Sequence, residues 1–114
     1  MDIERLREIC LALPHSTEDI KWGNHLTFCI AAKMYIIIGL DQFPHNASFK
    51  TSEEEFDKLK EIDGFIPAPY LARNQWIMVE DISLLTDEQW QRYTSLAYQV
   101  VKGKLSKKLQ EELK

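Results

Sequence analysis

The chain contains no Cys-x-x-Cys pair, no Gly-rich phosphate loop, no His-Glu-x-x-His and no Gly-x-Ser-x-Gly. Those absences remove the usual signatures of a redox dithiol, a nucleotide cradle, a zinc hydrolase and a serine hydrolase. Positive charge is not in excess either: 14 Lys and Arg stand against 18 Asp and Glu, for a net charge of −4 and a pI near 5.3. A dedicated, high-affinity nucleic-acid binder is usually basic, so this balance leaves room only for a local basic patch. No apolar run approaches transmembrane length, and a charged helical pattern begins at once at the N-terminus, so a cytoplasmic protein without a membrane partner is expected. Two cysteines make no disulfide framework, and Cys10 and Cys29 both sit among apolar neighbours, where reduced, packed thiols are expected.

What is present suits one globular domain over residues 1–114: 45% of residues are apolar and 28% charged, close to the average for folded domains. Asp2 caps a first helix in which Ile3, Leu6, Ile9 or Cys10, and Leu13 recur at helical spacing, and Pro14 ends it. Three strands are then expected: Glu18 to Trp22, with Ile20 and Trp22 on one face, Leu26 to Ala31, and Met34 to Leu40. Gly23-Asn24 and Ala32-Lys33 are the turns between them, too short for crossovers, so the three strands form an antiparallel meander. Leu26, Phe28 and Ile30 share one face and Thr27, Cys29 and Ala31 the other; Met34, Ile36 and Ile38 face one way and Tyr35 and Ile37 the other. Asp41 to Asn46 is a loop, and Ala47 to Lys50 is a candidate fourth strand. Ser52 and Glu55 form a capping box for a second helix that Asp63-Gly64 stops.

The chain is organised around the stretch from Ile66 to Val79. Pro67 and Pro69 hold the backbone extended and exclude both a helix and an inner strand. A rigid loop carrying Tyr70 and Arg73 feeds a strand over Gln75 to Val79 that opens with Trp76. Thr86 and Gln89 cap a third helix, whose buried stripe is Trp90, Tyr93, Ala97, Val100 and Val101. Gly103 breaks it, and Ser106 caps a short last helix. The expected fold is α+β: an antiparallel sheet of about four or five strands, with helices packed on one face. Leu6, Ile9, Trp22, Phe28, Ile36, Ile38, Phe56, Ile77, Trp90 and Ala97 are the expected core.

Nothing argues for an enzyme, a cofactor or a metal. His15, His25 and His45 are scattered over loops and turns with no metal-ligand spacing. Glu53-Glu54-Glu55 is explained by helix N-terminal electrostatics. Cys29 and His25 share a strand face but lie too far apart for a nucleophile and its base.

Ile20-Lys21-Trp22-Gly23, Phe28-Cys29, Lys33-Met34, Ser48-Phe49-Lys50, and Ile66-Pro67-Ala68-Pro69-Tyr70-Leu71-Ala72-Arg73 followed by Trp76 give the chain a resemblance to the MmcQ/YjbR family over nearly its full length. Ser106 to Leu109 resembles the close of that family. The resemblance implies a small α+β fold, CyaY-like or secretion-chaperone-like, sometimes described as a double-wing DNA-binding motif. Two functions follow. In the first, DNA is the partner, held by cations interleaved with aromatics: Lys21, Lys33, Lys50, Tyr70, Arg73 and Trp76, with a second cluster of Lys102, Lys104, Lys107 and Lys108. Against it, isolated lysines are mostly solvated and Trp76 suits the core. In the second, the sheet face away from the helices, carrying Thr27, Cys29, Ala31, Tyr35 and Ile37, takes a protein partner or a second copy of the chain, as a chaperone-like adaptor or a homodimer would.

Overall fold

The structure, a computed structural model, describes residues 1–69 and 71–113; Tyr70, one of the candidate site residues, lies outside the described residues. The chain runs α1 (Ile3–Leu11), β1 (Thr17–Lys21), β2 (His25–Ile30), β3 (Lys33–Gly39), β4 (Ala47–Lys50), α2 (Glu53–Leu59), β5 (Phe65–Pro67), β6 (Trp76–Val79), α3 (Asp87–Gly103) and α4 (Lys107–Glu112), with 3-10 turns at Ala72–Asn74 and Ile82–Leu84. The strands form one sheet in the order β1-β2-β3-β4-β6-β5, and every neighbouring pair is antiparallel. The α+β fold with an antiparallel sheet is therefore as expected. The sixth strand is β5: three residues ending at Pro67, placed on the edge, where a residue without an N–H leaves no inner ladder bond unmade.

The helix ends are closed by the residues that the sequence nominates. Asp2, Ser52, Thr86 and Ser106 each accept a backbone N–H three residues on, and Thr86 with Gln89 forms a full capping box. Leu6 and Cys10 of α1 and Trp90, Ala97 and Tyr98 of α3 pack with Phe28, Ile36, Ile38, Phe49 and Ile77 from one face of the sheet. Two buried polar groups of this core find backbone partners, whereas the Thr94 hydroxyl on α3 has none among the described residues. The Trp90 indole donates to the Ile82 carbonyl (2.9 Å), and the Tyr98 hydroxyl donates to the Pro14 carbonyl (2.6 Å). Phe56 is only partly buried, against the edge of this core.

Two departures from the expected strand faces matter for function. First, a β-bulge interrupts the pairing of β2 with β3 between Phe28 and Cys29, so that Phe28 pairs with Ile36 while Cys29 pairs with Met34. The extra residue is Tyr35, and it turns to the helix side. There it is fully buried, stands edge-on to Tyr98 with ring centroids 5.7 Å apart, and donates to the Cys10 carbonyl. Met34, expected on that side, faces the opposite one. Second, Trp22 is not in the core. Its backbone is left-handed (φ 54°), which breaks the alternation of β1 and swings the indole away from the helices; it is 67% exposed. Ile20, on the uncovered edge strand, is half exposed. The hairpin turn after β2 lies at Ala31-Ala32, both with positive φ, so β3 opens at Lys33.

Candidate functional site

The register of the sheet places the candidate cations. Lys33 opens β3 opposite Ile30; Lys50 closes β4 opposite Trp76; Arg73 lies in the 3-10 turn directly before Trp76. These three therefore reach the same end of the sheet. Lys104, just past the C-terminus of α3, arrives there too: its charge acts on the Lys50 ammonium. Lys21 does not join them. It pairs with His25 at the opposite end, beside the turn that carries Trp22. Lys107 and Lys108 are exposed on the first turn of α4.

Lys50 is the unusual member. It is only 7% exposed, and its ammonium donates to the Asn74 carbonyl. Burial, followed by the nearby charge of Lys104, draws its pKa down from the ordinary 10.5 to about 8. No carboxylate among the described residues balances either lysine. Arg5, Arg7, Lys58 and Lys60 are all paired with acids, whereas Lys33, Lys50, Arg73, Lys104, Lys107 and Lys108 have no carboxylate partner among the described residues, nor do Lys21, Arg92 and Lys102. Trp76 belongs to the interior: at 7% exposure, it packs with Ile37 and Ala68, so its ring is closed to stacking.

That packing also changes the sheet face opposite the helices. The Pro67-Ala68-Pro69 segment does not stand off as a free arm. Ala68 donates its N–H to the Trp76 carbonyl (3.0 Å), and the loop folds back so that Ala68 and Leu71 lie over Ile37 and Trp76. The face expected to be open is thus partly covered, and Tyr35 and Ala31 are not on it. What stays open is a groove of about 450 Å³. Its floor crosses the sheet along one row of partners, Ile37, Ser48 and Met78. Trp22 and His25 wall one side, Pro69 and Leu71 another, and Gln42 with Asn46 from the β3–β4 loop close the end. A second hollow of about 380 Å³ continues it past Met78 to Phe43 and Ile66; Phe43 is 91% exposed.

The groove was not legible in advance. In the sequence Ser48 stands only within the Ser48-Phe49-Lys50 pattern, and Trp22 reads as core. The one available signal was the small Ser48 between larger partners in the strand row. His25 and Cys29 share this face, but four residues of extended strand put them about 13 Å apart. Burial pushes the Cys29 thiol above its ordinary value. Among the described residues, no cluster of three or more metal-ligating side chains forms, and no helix is long and apolar enough to cross a membrane.

Comparison with known proteins agrees with this architecture. A crystal structure of the Deinococcus radiodurans protein DR2400, which carries a DUF419 domain, superposes with a TM-score of 0.87 at 24% identity, over 97% of this chain and 86% of that one. A Pseudomonas syringae protein solved by a structural genomics consortium superposes with a TM-score of 0.73 at 16% identity, over 88% of this chain and 98% of that one. Both identities are low enough that the likeness speaks for fold alone. No curated protein matches the chain. The YjbR family model matches residues 11–100, from the end of α1 to the last turns of α3, and the chain belongs to the YjbR family.

Proposed function

We propose that the chain is a nucleic-acid-binding module, with no chemistry of its own, that holds a phosphate backbone at the end of the sheet where Lys33, Lys50, Arg73 and Lys104 meet. The observation that carries the reading is the division of the cations. Those on α1 and α2 are matched by acids, while those at this end have none among the described residues. Burial first, and then the like charge of Lys104, lower the Lys50 pKa, and a phosphate oxygen between the two lysines relieves the second of these. Arg73 is exposed and free to clasp a second phosphate with parallel N–H bonds.

Glu53, Glu54 and Glu55 begin α2 three residues after Lys50, so acid adjoins the patch, although Glu54 turns to Lys58 (3.2 Å). Together with the net charge of −4, this points to a weak, salt-sensitive contact rather than a tight one. The adaptor reading has less support. The apolar face it needs is partly covered by the loop, and the β1 edge carries Glu18, Asp19 and Lys21, charges that discourage pairing with a second strand.

The test is fluorescence anisotropy with labelled single- and double-stranded DNA at two salt concentrations. Arg73→Ala and Lys104→Ala are each expected to weaken binding to all sequences alike and to flatten the salt slope by about one phosphate contact. Lys58→Ala, which removes a cation already paired with Glu54, is expected to leave binding unchanged. Absence of binding by the wild-type protein at low salt would end the reading.

A further inference from the structure

The groove across the uncovered sheet face lies apart from the cationic end and has a chemistry of its own. Its volume of about 450 Å³ falls within the range of small-ligand sites. Its floor is built from Ile37 and Met78 with Ser48 between them, and the short serine is what makes the row concave. Ser48 is only 5% exposed, yet no group among the described residues bonds to its hydroxyl. The hydroxyl is not sealed in the interior but opens onto the hollow, where a ligand can bond to it.

The other polar groups of the lining are spoken for on one side only. His25 Nδ1 is 2.6 Å from the Asn24 side-chain oxygen, which can only accept. With the proton on Nδ1, the neutral ring keeps Nε2 as an acceptor. The Gln42 side-chain oxygen accepts from Asn46, so the Gln42 amide keeps its N–H groups to donate. Neither Lys, Arg, Asp nor Glu lines this part of the groove. Trp22 closes the wall with a largely exposed indole, held edge-on to the His25 ring at 5.6 Å between centroids.

We infer that this groove binds an uncharged heteroaromatic ring of nucleobase size, stacked on Trp22 and hydrogen-bonded along its edge by Ser48, Gln42 and His25. A flat ring with both donors and acceptors on its rim satisfies a hydroxyl, an imidazole acceptor and an amide donor at once, and its face matches the indole. An aliphatic ligand would leave Ser48 unbonded, and an anion would find no opposite charge. The ring can arrive as a free nucleoside or as an unpaired base in a single strand. The inference stands on the groove alone and does not require the cationic end to bind phosphate.

The experiment is a titration followed by two-dimensional NMR. One arm uses adenosine, guanosine, cytidine and uridine, each uncharged. The other compares a short single-stranded oligonucleotide with an abasic strand of the same length. Shifts at Ile37, Ser48 and Met78 with any nucleoside, or with the base-bearing strand and not the abasic one, are expected; which arm responds tells the source of the ring. Trp22→Ala, an exposed position that folding does not need, is expected to weaken the response roughly 5- to 100-fold, the worth of one base stacked on an aromatic. Ser48→Ala is expected to weaken it about fivefold or more, the loss of one hydrogen bond. If neither arm moves the groove resonances at millimolar ligand, or if Trp22→Ala binds as the wild type does, the inference is wrong. An abasic strand that binds in a salt-dependent way while the groove stays silent would refute this inference and leave the phosphate reading intact.

Discussion

Replacing Lys50 by Met is expected to make the protein more stable near neutral pH, and the gain is expected to fade as pH rises. Lys50 is buried beside Lys104, and its pKa falls from 10.5 to about 8. The gap corresponds to about 3 kcal/mol of disfavoured charge in the folded state. The direction of the pH dependence follows from proton counting. The unfolded chain holds this proton up to about pH 10.5, while the folded chain releases it near 8. Between those values the unfolded state binds more protons, so stability rises with pH. The penalty is thus fully present below pH 8 and gone above about 10.5. Met also removes the bond from the ammonium to the Asn74 carbonyl, which offsets the gain by about 1 to 2 kcal/mol. The net expectation is a stabilisation of about 1 to 2 kcal/mol at pH 7. Urea melts of wild type and Lys50→Met at pH 7, 8.5 and 10 measure it. The difference between the two proteins is the quantity to read, because it cancels other groups that titrate in this range. A variant less stable than wild type at pH 7, or a difference that does not change with pH, would refute the reasoning.

The same structure makes further predictions. Cys10, whose thiol is pushed up to about 12 by burial, and Cys29, also raised by burial, should react slowly with a thiol reagent in the native state and at once in denaturant; rapid native labelling of Cys29 would contradict this. Tyr98→Phe should cost about 1 kcal/mol in a denaturant melt, because it deletes the bond to the Pro14 carbonyl, and an unchanged midpoint would show that bond to be idle. Asp87, held down to about 2 chiefly by its hydrogen bond from Arg5, should titrate at a distinctly higher pH in Arg5→Ala, as followed by carboxyl NMR.

How far the sequence could be read depended on whether a residue's role was local. Helix starts were legible, because a cap is a short-range pattern: Asp2, Ser52, Thr86 and Ser106 all cap as expected. The meander was legible from its alternation, and the burial of Phe28 and Ile36 came with it; that of Trp90 follows from the helical spacing of the α3 stripe. The bulge at Phe28 and Cys29 was not, since a two-against-one pairing depends on the partner strand; it reversed Tyr35 and Met34 together. Trp22 misled for a related reason. A large aromatic on an alternating strand reads as core, but one left-handed residue at the strand end sends it to the other face. The register brings Lys33, Lys50 and Arg73 to one end of the sheet and leaves Lys21 at the other, a separation that strand spacing alone does not encode. The burial of Lys50 and the arrival of Lys104 depend on how the Asn74 turn and the end of α3 close over β4, which no local pattern encodes.

The most direct test of the functional account is to map where nucleic acid touches the sheet. A single-stranded oligonucleotide titrated into isotope-labelled protein, at low and at moderate salt, reports this residue by residue. The account predicts shifts centred on Lys33, Lys50 to Ser52, Arg73 to Gln75 and Lys102 to Lys104, shrinking steeply as salt rises. Shifts confined to α1 and the β1 edge, or no shifts at low salt, would contradict it.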